Sequence, residues 1–175
     1  TPGSDVEPRA AAEELRRQLR EAVATTLVGE TPGRVGAFLS GGLDSSSVVG
    51  TAAQQLPGEL HTFTIGFPVE GFDETRYAEL AASHFGTRHH VYTVQPQDVL
   101  DVLNKAAVIY DEPFANLSMV PAYVCARLAR ENGIDMMLAG DGGDELFAGN
   151  ERYGKDQIFD GFERLPDWLR ATLRR

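Results

Sequence analysis

The sequence predicts an α/β fold, a parallel sheet covered by helices on both faces. Three observations predict it. Short apolar runs at 35–39, 60–67, 88–94 and 134–139 alternate with longer stretches of helical periodicity. That rhythm belongs to strands joined by helical crossovers. The first and last of these runs lead straight into glycine-rich loops, Ser40-Gly41-Gly42 and Gly140-Asp141-Gly142-Gly143. In open parallel sheets ligands sit beyond the carboxyl ends of the strands, so both loops are candidates for one site.

The elements follow in order. Over 9–28, Leu15, Leu19, Val23 and Leu27 recur at helical spacing, with Arg16, Arg17, Arg20 and Glu21 on the other positions. Glycines 29 and 33 end this helix before the first strand. A helix beginning near Asp44 to Ser46 runs to Gln55, and Pro57-Gly58 turns the chain into the strand at 60–67. The next helix covers 73–85, with Asp73 as N-cap and Gly86 as stop. After the strand at 88–94 come helices at 97–109 and 121–132, then the strand at 134–139. A final amphipathic stretch, 165–173, carries Leu165, Trp168, Leu169 and Leu173.

Composition bounds the function. At 175 residues and 42% hydrophobic content, one globular domain is expected. Net charge is −10, against the basic face that a nucleic-acid binder shows. The single cysteine, Cys125, leaves no disulfide framework or zinc cluster and suits a reducing cytoplasm. No apolar run is long enough to span a bilayer and no signal peptide is evident, so no membrane partner is expected. Residues 1–8 read as a flexible lead-in and 9–175 as the folded part.

The first loop reads as a phosphate cradle. Ser40-Gly41-Gly42 lets the backbone approach an anion without Cβ obstruction, and the following helix presents unpaired N–H groups. Ser40, Ser45 and Ser46 add hydroxyl donors. Asp44 is out of place beside an anion unless it carries a cation, and an Mg²⁺ shared with the phosphates resolves that conflict. The bland alternative is a strand-to-helix turn with ordinary caps; the serines, the carboxylate and the context together weigh against it. The lysine of a Walker-type loop is missing, so γ-phosphate transfer is not indicated. The second loop places Asp141, Asp144 and Glu145 among glycines, and carboxylates so close need a metal, a proton or a cationic partner.

Ser-Gly-Gly-Leu-Asp-Ser-Ser resembles the pyrophosphate loop of the N-type ATP pyrophosphatases, which have the adenine nucleotide alpha hydrolase-like fold. Gly140-Asp141-Gly142-Gly143-Asp144-Glu145 is similar to the second loop of the asparagine synthetases, and Phe63-Thr64-Ile65-Gly66-Phe67, Asp73-Glu74 and Asp111-Glu112-Pro113-Phe114 agree with it. The likeness runs from about Glu13 to Tyr153. It implies that ATP is cleaved between its α- and β-phosphates to adenylate an aspartate side chain, which ammonia then converts to asparagine. It further implies that Leu39 and Ile65 line the adenine and ribose pocket and that Ala139 and Gly140 offer backbone contacts. Ser40, Gly41, Gly42, Asp44, Ser45 and Ser46 would hold pyrophosphate, Asp44 and Asp144 would bind Mg²⁺, and Asp141 would assist amide formation. Ala139 stands where serine is common in the family, and Asp141 where some members carry glutamate.

Glutamine-dependent members open on a catalytic cysteine, whereas residue 1 here is Thr1, so a glutaminase domain is expected elsewhere, fused or on a partner chain. Family domains also continue past the second loop, so the sequence reads as a partial, shortened domain, with a homo-oligomer among its expected partners. The same adenylation serves β-lactam and lasso-peptide macrolactam closure, and a catalytically idle nucleotide-binding fragment is the alternative from another class. His61, His84, His89 and His90 have no metal-ligand spacing and are read as structural. Ser118 through Tyr123 match a family segment near the acceptor.

Overall fold

The computed structural model describes residues 7–68, 75–110, 116 and 118–147. The chain divides into two compact units, Thr1–Gly140 and Asp141–Arg175. The first contains α1 (Pro8–Thr26), β1 (Val35–Phe38), α2 (Leu43–Gln55), β2 (His61–Gly66), α3 (Thr75–Phe85), β3 (Arg88–Thr93), α4 (Pro96–Ile109), α5 (Met119–Glu131) and β4 (Met136–Leu138). The four strands form one parallel sheet in the order β3-β2-β1-β4.

Strand alternation divides the core between two faces. Val35, Ala37, Leu39, Leu60 and Leu138 pack with Val23 of α1, Val49 and Ala52 of α2, and Ala78 and Ala82 of α3. On the opposite face Phe63 and Ile134 meet Cys125 and Ala129 of α5. Beside them Val94 and Val102 pack with Val120 and Val124. Gly36 is required between these layers, because a Cβ there would come within 2.6 Å of Met137 Sδ and 2.9 Å of the Phe63 ring. Right-handed crossovers put α2 and α3 on one side, and the reversed return from β3 to β4 puts α4 and α5 on the other.

The boundaries differ from the sequence expectation in physically sensible places. Of the predicted α1 stripe, Val23 is buried while Leu15 is 44% exposed. The helix is held at that end by Arg17, which bonds Glu14 and Glu21 on neighbouring turns. Helix α5 starts at Met119, not at Pro121, since a proline in the first turn forfeits no intrahelical bond. β4 is shorter than the apolar run because only Met136, Met137 and Leu138 pair with β1. The expected Asp73 cap, the 111–114 segment and the helix at 165–173 lie outside the described residues. Among the described residues no helix is long and apolar enough to cross a membrane.

In the second unit the described element is α6 (Gly143–Phe147), a short helix where the sequence suggested only a loop. Gly142, at φ +88°, turns the chain into it, and Leu146 N–H donates to the Gly142 carbonyl at 3.1 Å. Asp144 and Glu145 occupy its first turn, where the helix dipole favours acid.

Candidate functional site

The strand order creates the site. From β1 the chain steps outward to β2 and β3, then returns to the other side of β1 as β4. The crevice between β1 and β4, at their carboxyl ends, is the topological switch point where such sheets bind ligands. The phosphate-loop candidate leaves β1 at this point, and Ala139 and Gly140 leave β4 beside it.

The 40–46 loop is closed on itself by its serines. Ser40 Oγ and Ser45 Oγ are 3.0 Å apart, Ser40 N–H donates to Ser45 Oγ at 3.3 Å, and Gly42 N–H donates to Ser40 Oγ at 3.2 Å. Gly41 takes φ +81°, open to glycine and strained for a side chain. Gly42 is the N-cap of α2, and no side chain caps the helix. The first intrahelical bond runs from Ser46 N–H to the Gly42 carbonyl at 3.0 Å. The N–H groups of Leu43, Asp44 and Ser45 therefore precede the ladder, and an anion there would satisfy them.

The flanking glycines are sterically required. A Cβ on Gly140 would stand 3.0 Å from the Asp44 carbonyl carbon and 3.0 Å from the Ser45 nitrogen. A Cβ on Gly41 would meet Tyr77 Cβ at 2.5 Å and the Ala78 nitrogen at 2.6 Å. The loop is thus held between the turn after β4 and the first turn of α3.

Leu39 is expected from the resemblance to line the adenine and ribose pocket; its side chain is 1% exposed and packs in the core. Its N–H donates to the Phe63 carbonyl at 3.0 Å and its carbonyl accepts from Thr64 Oγ1, so Leu39 anchors the loop by its backbone. Ile65 is half-buried in β2, and Ala139 is exposed. Asp44 is half-buried, and among the described residues its carboxylate makes no hydrogen bond or ion pair. A carboxylate left free in a loop otherwise rich in donors fits a cation ligand. The structure thus brings together Leu39, Ser40, Gly41, Gly42, Asp44, Ser45, Ser46 and Gly140, while Asp141 and Asp144 belong to the second unit.

Two features escaped the sequence reading. Tyr77, taken only as a helix residue, adjoins Gly41. Asp98 is buried and accepts from Tyr92 Oη at 2.9 Å, from Gln95 N–H at 2.9 Å and from Arg127 Nη2 at 2.8 Å. Burial opposes its charge, but these donors prevail and hold the carboxyl below its ordinary value. Proline at the first position of α4 with an acid two residues on was the available signal for this cap. Nearby, Ser118, Val120 and Pro121 line a groove with Phe67, Val94 and Val99 that is almost wholly apolar.

The asparagine synthase family profile matches residues 14–175. The putative asparagine synthetase [glutamine-hydrolyzing] 2 of Methanocaldococcus jannaschii is 41% identical over 162 residues, covering 91% of this chain and 30% of that protein. Asparagine synthetase [glutamine-hydrolyzing] 1 of Bacillus subtilis is 33% identical over 160 residues, 91% of this chain and 25% of that one. The chain therefore spans about a quarter to a third of the length of these curated relatives. Among solved structures, a glutamine-dependent NAD+ synthetase from Acinetobacter baumannii superimposes with TM-score 0.57 at 14% identity, over 85% of this chain and 29% of that one. An NH3-dependent NAD synthetase from Campylobacter jejuni gives TM-score 0.51 at 12% identity, over 79% and 60%. These likenesses show a shared fold, and the match of sequence over nearly the whole described region shows that this chain belongs to the asparagine synthase family.

Proposed function

We propose that the chain is the ATP-cleaving core of an amide-forming ligase that makes asparagine from aspartate. The observation that carries this reading is the 40–46 loop, whose α2 amino end is uncapped and whose Asp44 carboxylate is free among the described residues, set at the β1/β4 switch point in a chain of this family. An aspartate side-chain oxygen attacks the α-phosphorus of ATP, the bond to the bridging oxygen breaks, and pyrophosphate leaves. Ammonia then attacks the acyl carbonyl, loses a proton, and displaces AMP.

The protein's part is to bind charge and hold the groups in line. Ser40, Gly41, Gly42, Ser45 and Ser46 hold the departing pyrophosphate through backbone and hydroxyl donors. Ile65, Ala139, Gly140 and the backbone of Leu39 hold the adenosine. Asp44 and Asp144 are the residues proposed to hold Mg²⁺, which when bound supplies positive charge to the phosphate oxygens. Asp141 is assigned to the amide-forming half-reaction. A glutaminase domain or partner supplies the ammonia, and the setting is the cytoplasm.

The test is to incubate the full-length protein with ATP, Mg²⁺, aspartate and ammonia. AMP, pyrophosphate and asparagine should appear in equal amounts. ADP as the nucleotide product, or AMP release that ignores aspartate, refutes the reading.

A further inference from the structure

We infer that Tyr77 is a substrate-contacting residue of this site, its phenol hydroxyl donating to the polyphosphate or the departing pyrophosphate. The inference rests on the proposed ATP-cleaving function and adds a residue from outside both glycine-rich loops.

Three observations carry it. The root of the Tyr77 side chain lies against the loop, since a Cβ on Gly41 would come within 2.5 Å of Tyr77 Cβ. The rest of the side chain is held in the open. Tyr77 is 64% exposed while Ala78, next to it, is fully buried. Among the described residues its hydroxyl makes no hydrogen bond, so the side chain rooted against Gly41 carries a donor with no partner there. The third observation is electrostatic. The first turn of α3 holds Arg76 and no acidic residue, with Asp73 and Glu74 preceding it in the sequence. A cation there is tolerated at little cost where an anion is bound nearby.

A surface tyrosine that merely packs on the loop would act through its ring and not through its oxygen. That difference makes the inference testable. Binding of inorganic pyrophosphate with Mg²⁺ to the full-length protein is measured by calorimetry for the parent, Tyr77→Phe, Tyr77→Ala and Ser45→Ala. Thermal melting serves as the control for folding. Tyr77→Phe should bind pyrophosphate about tenfold more weakly with its melting unchanged, the scale of one hydrogen bond to a charged group. Tyr77→Ala should be weakened at least as much. If Tyr77→Phe binds like the parent while Ser45→Ala is weakened, the Tyr77 assignment is overturned and the reading of the loop stands. A loss confined to Tyr77→Ala also overturns it, by assigning the effect to ring packing. No pyrophosphate binding by the parent removes both the function and the inference that rests on it.

Discussion

Gly140 lies against Asp44: a methyl group on its Cα would stand 3.0 Å from the Asp44 carbonyl carbon. The turn after β4 and the first turn of α2 are therefore fitted backbone to backbone, and neither can give by rotating a side chain. Gly140→Ala should displace the amino end of α2 and cost about 1 to 3 kcal/mol of stability, as overpacking does. Pyrophosphate release should fall by more than the loss of folded protein explains. Urea titration beside a pyrophosphate assay checks both.

Asp44→Asn keeps the shape of the side chain but makes a poor Mg²⁺ ligand. The variant should fold normally and nearly lose AMP release, most severely when Mg²⁺ is limiting. Asp144→Asn should show a similar loss if the two share an ion. Near-normal turnover at low Mg²⁺ would remove Asp44 from the metal site.

Asp141→Ala should separate the half-reactions. Amide formation is expected to fall further than aspartate-dependent pyrophosphate release. An equal fall in both would place Asp141 with the phosphate-handling groups instead.

The Asp98–Arg127 pair, 29 residues apart in sequence, ties the start of α4 to α5. Arg127→Met leaves the buried carboxylate one charged donor short and should cost about 2 kcal/mol. Because the Asp98 pKa is lowered on folding, its stabilisation is present above the unfolded value of 3.8 and is lost as pH falls through the folded one. Below pH 4 the parent should lose more stability than Arg127→Met does, as read by denaturant midpoints across pH.

A separate acid response is expected from β2 and β3. His61 Nδ1 and His90 Nε2 are 3.0 Å apart, and the His90 ring stacks on Phe63 at 4.7 Å. Burial pushes both pKa values down, and for His61 the neighbouring His90 adds to it. The folded state keeps the rings neutral while the unfolded chain takes up protons, so stability should decline as pH drops below about 6.5. Comparing urea midpoints at pH 7.5 and 5.5 tests this, with His90→Gln expected to flatten the slope.

What the sequence by itself determined is local. Alternating apolar runs and helical periodicity specify the strands and helices, because burial on one face of each element is written at spacings of two and three to four residues. The candidate phosphate loop could be picked out for the same reason: its glycines, serines and Asp44 are contiguous, so their chemistry is adjacent before the chain folds. The tertiary structure decided what depends on contacts between distant residues. The order β3-β2-β1-β4 put the carboxyl ends of β1 and β4 side by side, although about a hundred residues separate them. The same packing drew Leu39 into the core, set Gly41 against Tyr77 and buried Asp98 beside Arg127. No spacing rule encodes those contacts, since each depends on which faces two elements present once the sheet has formed.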